Sequence, residues 1–301
     1  MTQPRTIHQG ATYLLTRRVL HRRFLLRPDA AMTHFILYSL AVAAARYGIE
    51  INAFCAMSTH IHMVVTDPRG VLPHFLRCFH QTVAMGTKFL RRWKGAVWDN
   101  ARASVVQLLT PQAVVEKVAY TLANPVIAGI VEYAHEWPGA KNRIEDIASA
   151  KLRVTRPTVC FDPKNANWPA ESSIQVKLPP MLAEVGVEEF RSVITTMVVN
   201  EEMKAQKKAR RKRSAKKHDE SLVSPYKRAT SAEPERKHNP TFAVGHGNQE
   251  AHDAAASALR SFRTAYRRAL EQWRKGDRYV QFPEGTWWMR EFHAANVETR
   301  E

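Results

Sequence analysis

The chain is short of cysteine, of acidic residues and of long apolar runs, and each shortage argues against a class of protein. Its three cysteines, Cys55, Cys78 and Cys160, are far apart, odd in number and in no C-x-x-C pair. That speaks against a disulfide framework and a thiolate zinc site, and for a reducing compartment. The longest apolar run, Phe35 to Ala45, stops at Arg46, well short of the roughly 20 residues that a membrane-spanning helix needs. The opening residues, Met1 to His8, lack the apolar core of a signal peptide. A cytoplasmic location is the expectation.

The acid shortage is the most informative. Against 28 Asp and Glu stand 45 Lys and Arg, a net charge of +17 in 301 residues, and the isoelectric point is about 10.1. Residues 1–150 carry 17 basic and 9 acidic side chains, and residues 151–301 carry 28 and 19. Both halves are therefore basic, which favours a polyanionic partner over a simple charged tail. A membrane-surface role would need a basic amphipathic helix with a large apolar face, and none is evident.

Residues 1–148 read as alternating short strands and helices. Strands are expected over Gly10–Arg18, Ile49–Met57, His60–Thr66 and Ser104–Leu109, where apolar β-formers run between turn residues. Helical spacing marks the stretch from Pro28 to Tyr47, ended by Gly48, and that from Val71 to Trp93. A third helix opens at Pro111, where proline suits the first turn, and is expected to end at Asn124-Pro125. The order β-α-β-β-α-β-α implies an α+β fold, a ferredoxin-like antiparallel sheet with helices on one face and an extra helix. Residues 149–301 read as a basic, mainly helical, partly disordered region. Residues 150–185 look irregular, helices are expected over about 188–217 and 251–275, and a polar flexible linker over about 218–249.

Two places carry residues able to do chemistry. In His60-Ile61-His62 on a strand, alternation puts both imidazoles on one face, about 7 Å apart along the backbone. So placed they can converge on one divalent cation, while Ile61, Met63 and Val65 bury on the other face. On the third helix, Val114, Val115, Val118 and Leu122 form an apolar stripe, and Tyr120 and Asn124, at i and i+4, share another side. There the phenol is available to a site. Equally, it fills a gap at the sheet boundary, with Asn124 as the helix cap. A phenol ionises only near pH 10 and attacks phosphodiesters poorly at neutral pH, so a divalent ion beside the phosphate would give the two halves a common purpose. The basic residues Arg17, Arg18, Arg22 and Arg23 after the first strand, and Arg91, Arg92 and Lys94 beside Trp93, suit stacking on bases and gripping phosphates. Nine Lys or Arg between Lys204 and Lys217 suit a nonspecific nucleic-acid arm.

Taken together, these segments resemble the REP-associated tyrosine transposases, relatives of the single-tyrosine HUH transposases of small bacterial insertion sequences. The pieces are Gly10-Ala11-Thr12-Tyr13, Met57 to Val65 around the histidine pair, and Tyr120 to Val126 followed by Ala128-Gly129-Ile130-Val131. They cover about residues 8–140, and Phe282 to Arg290 looks like the ending of longer members. The resemblance implies an HUH nuclease domain acting on single-stranded DNA that folds into hairpins. It assigns Mg²⁺ or Mn²⁺ to His60, His62 and Asn124, and to Tyr120 an attack leaving a 5′-phosphotyrosine and a free 3′-OH. Ser58-Thr59 departs from the Pro-Asn usual in relatives but leaves the ligands in place. Insertion-sequence relatives act as dimers; monomer and homodimer both stay open here. Two other readings compete, a non-catalytic hairpin-binding protein and a metal-dependent nuclease with no covalent intermediate.

Overall fold

The computed structural model describes residues 4–212, 223–230 and 240–299. Its centre is β1 (Ala11–Arg18), α1 (Ala30–Tyr47), β2 (Glu50–Met57), β3 (His60–Asp67), α2 (Leu72–Leu90), β4 (Ser104–Leu108) and α3 (Pro111–Ile127). The strands lie in the order β2-β3-β1-β4, all antiparallel, which is the ferredoxin-like arrangement expected. β1 and β2 run in the same direction with β3 between them, as do β3 and β4 with β1 between them, and the helical crossovers that join them leave α1 and α2 packed together on one face.

The boundaries have local causes. Asp29 caps α1 by accepting the Met32 N–H, and Gly48 closes it with φ of 68°, a conformation costly for a side chain. Thr110 caps α3 through the Ala113 N–H, with Pro111 in the first turn. β2 and β3 join through the two-residue turn Ser58-Thr59.

In β3 both sets of alternate residues are buried, His62, Val64 and Thr66 on one face and Ile61, Met63 and Val65 on the other. The sheet is therefore covered twice. α2 lies on the face of Arg17, whose guanidinium sits over the Trp98 ring while the Trp98 N–H donates to the His80 carbonyl of α2. α3 lies on the opposite, histidine face.

One expectation needs correcting. α3 does not stop at Asn124-Pro125 but runs to Ile127, with Pro125 inside it. The missing Pro125 N–H costs one bond near the helix end, while its ring and Val126 are buried. The Ala128 N–H then returns to the Asn124 carbonyl at 2.9 Å.

The remaining elements pack onto this centre. Within the stretch that reads as irregular, β5 (Leu152–Thr155) and β6 (Glu171–Ile174) form a hairpin against α1, and α4 (Val187–Lys212) packs along α3. β7 (Phe242–Ala243) pairs parallel with β4 as a fifth strand, making the sheet mixed. α5 (Gln249–Arg274) and α6 (Trp287–His293) follow. Of the stretch 218–249, residues 223–230 and 240–249 are described and in contact. The Phe24 N–H reaches the Lys227 carbonyl at 3.1 Å, and the Tyr226 hydroxyl donates to the Arg91 carbonyl at 2.6 Å. The end of the charge run, residues 213–217, lies outside the described residues. One core cluster reaches from Ile7 through Phe190, Ile194 and Val198 to Trp287, crossing residue 148. The three cysteines are free, and no described helix is long and apolar enough to cross a membrane.

Candidate active site

Strand register sets the first half of the site. In β3, His60 faces Arg18 of β1 on one side and Met57 of β2 on the other, and His62 faces Thr16 and Cys55. The two imidazoles project from the same face, as alternation requires, with ring centroids 4.7 Å apart and planes nearly perpendicular at 86°. His62 is buried and His60 partly exposed.

α3 supplies the other half. Asn124 Oδ1 lies 3.2 Å from His60 Nε2, and the Tyr120 ring stands edge-on to His62 at 5.3 Å. Tyr120 is half-buried, while Asn124 is 5 % exposed. Asn124 is not the helix cap, which falls at Ala128. The four residues separated by about sixty positions in sequence thus meet in one place.

Two threonines hold the imidazoles. Thr16 Oγ1 is 2.9 Å from His62 Nδ1, and Thr59 Oγ1 is 2.9 Å from His60 Nδ1. A hydroxyl both donates and accepts, so it serves either tautomer of the ring. With the proton on Nε2, His60 donates to Asn124 Oδ1. With the proton on Nδ1, the Nε2 lone pair and Oδ1 both present electrons to the same point.

That arrangement fits a divalent cation. Neighbouring donors of an octahedral ion with bonds of about 2.1 Å lie roughly 3 Å apart, and His60 Nε2 and Asn124 Oδ1 are 3.2 Å apart. Two imidazoles and an amide oxygen suit Mn²⁺ better than the harder Mg²⁺. Cys55 is close by but is no thiolate ligand, since burial pushes its thiol up to about 12. Cys55, Met57 and Trp137 form an apolar floor on this side of the sheet.

The surroundings are cationic. The Lys117 ammonium lies 6.0 Å from the Tyr120 ring centroid, and Arg18 projects beside His60 and is exposed. Lys117 is not signalled by composition; its i+3 spacing to Tyr120 is the one available cue. Thr16 had none, because only β1–β3 register brings it to His62.

The other basic residues divide. Arg22 ends a 3-10 helix (Leu20–Arg22) and Arg23 follows it, three and four residues after Val19, whose N–H reaches the Thr59 carbonyl at 2.8 Å. Arg23 stacks on Trp93 at 5.1 Å and donates to the Tyr226 carbonyl. Arg92 and Lys94 are exposed at the end of α2. Arg91 is a correction: it is 6 % exposed and bound to the Leu25 and Arg27 carbonyls and to Asp29 at 2.5 Å. It ties the loop before α1 to the end of α2, and is not a surface cation.

No family model matches the sequence, and no curated protein matches it. Among solved structures, the chain is similar to a REP-associated tyrosine transposase bound to a REP hairpin, at 19% identity and a TM-score of 0.41. That alignment covers 48% of this chain and 84% of the other. It is also similar to a candidate transposase from Deinococcus radiodurans R1, at 20% identity and a TM-score of 0.28, covering 35% and 85%.

Proposed function

We propose that this chain is a tyrosine transposase that nicks single-stranded DNA at hairpin palindromes of the REP type and transfers the cut strand. What supports the reading is the meeting of His60, His62 and Asn124 with Tyr120 across β3 and α3. When bound by the two histidines and the asparagine, Mg²⁺ or Mn²⁺ supplies charge neutralisation at the oxygens of the scissile phosphate.

The protein's own part is positioning and attack. Tyr120 lies in the middle of α3, half-buried and edge-on to the His62 ring, so its phenol has little freedom to lose on reaching the phosphate. Tyr120 Oη forms a bond to phosphorus as the bond to the 3′ oxygen breaks. The phenolic proton leaves Oη, and the departing 3′ oxygen is protonated. The products are a 5′-phosphotyrosine and a free 3′-OH, and the reverse attack by another 3′-OH restores the tyrosine. Lys117 and Arg18 place positive charge where phosphate oxygens would lie. Arg22, Arg23, Arg92 and Lys94 extend the cationic surface toward the flanking strand.

Tyr120→Phe tests the covalent step. With a hairpin oligonucleotide labelled at the 3′ end and Mn²⁺ present, the native protein should give a protein-linked band on a denaturing gel. The variant should give none while its binding changes by less than about twofold, since only a hydroxyl is lost. Nicked product without any protein-linked band in the native protein would favour a metal-dependent nuclease. Binding without either product would favour a non-catalytic hairpin binder.

A further inference from the structure

A cavity lies away from these residues. It has a volume of about 370 Å³ and is enclosed by the N-terminal segment, the start of α2, the start of β4, α5 and α6. In β4, Val105 lines it and is paired with Leu15, so the cavity opens on the α2 face and not on the histidine face. Its size lies within the range of roughly 300–1,000 Å³ typical of small-molecule sites, enough for one nucleotide.

Its chemistry is lopsided. Arg5 and Arg102 both line it, and neither has a carboxylate partner among the described residues. Burial, and then the neighbouring Arg102 charge, both work against the charge on Arg5. Thr286 and Trp287 line it too, each at least nine-tenths buried. Their Thr286 Oγ1 and Trp287 Nε1 atoms have no hydrogen-bond partner among the described residues. Two neighbouring guanidiniums beside unpartnered hydroxyl and indole donors suit an anion. The remaining wall is aromatic. Trp288, 57 % exposed, and Tyr266 supply ring surface on which a base can stack.

We propose that this cavity holds one nucleotide of single-stranded DNA, its phosphate between Arg5 and Arg102 and its base against Trp288 and Tyr266. It rests on the reading of single-stranded DNA as the partner, but not on Tyr120 chemistry. Because the cavity lies on the α2 face, the nucleotide belongs to a stretch flanking the scissile phosphate and not to the phosphate itself.

The test uses the full chain and two probes. Thymidine 5′-monophosphate is titrated calorimetrically, and a thymidylate dodecamer carrying 5-iodouracil is photocrosslinked and the adducts mapped by mass spectrometry. Binding of the monophosphate, an adduct on Trp288 or Tyr266, and at least tenfold weaker binding by Arg5→Gln/Arg102→Gln are expected. Trp288→Ala, a half-exposed site that should fold normally, should lose the adduct and weaken both probes. Inorganic phosphate binding as tightly as the monophosphate would overturn the nucleotide assignment in favour of an anion site only. Adducts confined to other segments would overturn the site. If Tyr120 forms no covalent DNA while Trp288 still crosslinks, the transposase reading fails and the cavity stands. Monophosphate binding without oligonucleotide binding would overturn the strand assignment and leave a free-nucleotide site.

Discussion

Thr16 has no part in any bond that would be made or broken, yet it sets where His62 points. Its hydroxyl is 2.9 Å from His62 Nδ1, and partners of this kind fix the orientation and basicity of a ligating imidazole. Replacing Thr16 with valine keeps the shape and removes the hydrogen bond. Mn²⁺ affinity, followed by calorimetry, should fall about 10- to 100-fold, while the thermal midpoint moves by only a few degrees. An unchanged affinity would show that Thr16 does not position the ring. At this scale the histidine pair and the Tyr120–Asn124 pair were legible, because strand alternation and helical phase are local rules. Thr16 was not, since it depends on how two strands 46 positions apart come into register. Arg91 misled for a related reason: its side chain is claimed by Asp29 and two carbonyls that lie far away in sequence.

Among the elements, the α1–α2 pair depends on a missing side chain. A Cβ added at Gly86 would lie 2.2 Å from the Phe35 ring. Phe35 is fully buried and stacked on Phe161 with ring centroids 5.0 Å apart, so it has little room to yield. In a free helix, Gly→Ala gains about 1 kcal/mol, whereas overpacking a filled core costs about 1–3 kcal/mol. The clash should prevail: Gly86→Ala is expected to lower stability in urea by about 1–2 kcal/mol. Phe35→Leu in the same chain should recover part of that loss. A stabilised Gly86→Ala would mean that the two helices separate easily. Helix α1 could be read from its apolar spacing to within two residues, whereas α2 ends at Leu90, three residues before the expected Trp93. The extension of α3 past Pro125 could not, because burial of Pro125 and Val126 outweighs one missing hydrogen bond. Nor could the β5–β6 hairpin, whose short polar strands find apolar support in distant residues, Val154 against Phe35, Tyr38 and Val42 of α1.

For the molecule as a whole, composition drew a boundary near residue 148 that the core ignores. Phe190, Ile194 and Val198 of α4 are buried in the same cluster as α3 and the sheet, and the Ala148 N–H bonds to the Val176 carbonyl at 2.7 Å. Each such side chain contributes about 1.5–3 kcal/mol, against a total stability of about 5–15 kcal/mol for a typical domain. A chain cut after Ala148 should therefore melt without a sharp transition or at least 10 °C lower, as read by circular dichroism. A sharp transition at the full-length midpoint would place the fold within residues 1–148 alone. The net charge and the four-strand order were visible in the sequence because they add up from local signals, whereas the seam between α3 and α4 is a long-range contact.

The borders of the sheet carry a further consequence. On the β4 side, the Gln107 and Leu109 N–H groups are taken by the Thr241 and Ala243 carbonyls at 2.9 Å each. Along β2, the Lys177 N–H reaches the Ile51 carbonyl at 2.7 Å and the Ala56 N–H reaches the Ala140 carbonyl at 2.8 Å. Main-chain groups that would otherwise recruit a strand from a neighbouring molecule are already spent. A second copy that added a strand along these stretches of the two borders would first have to peel the covering segment away.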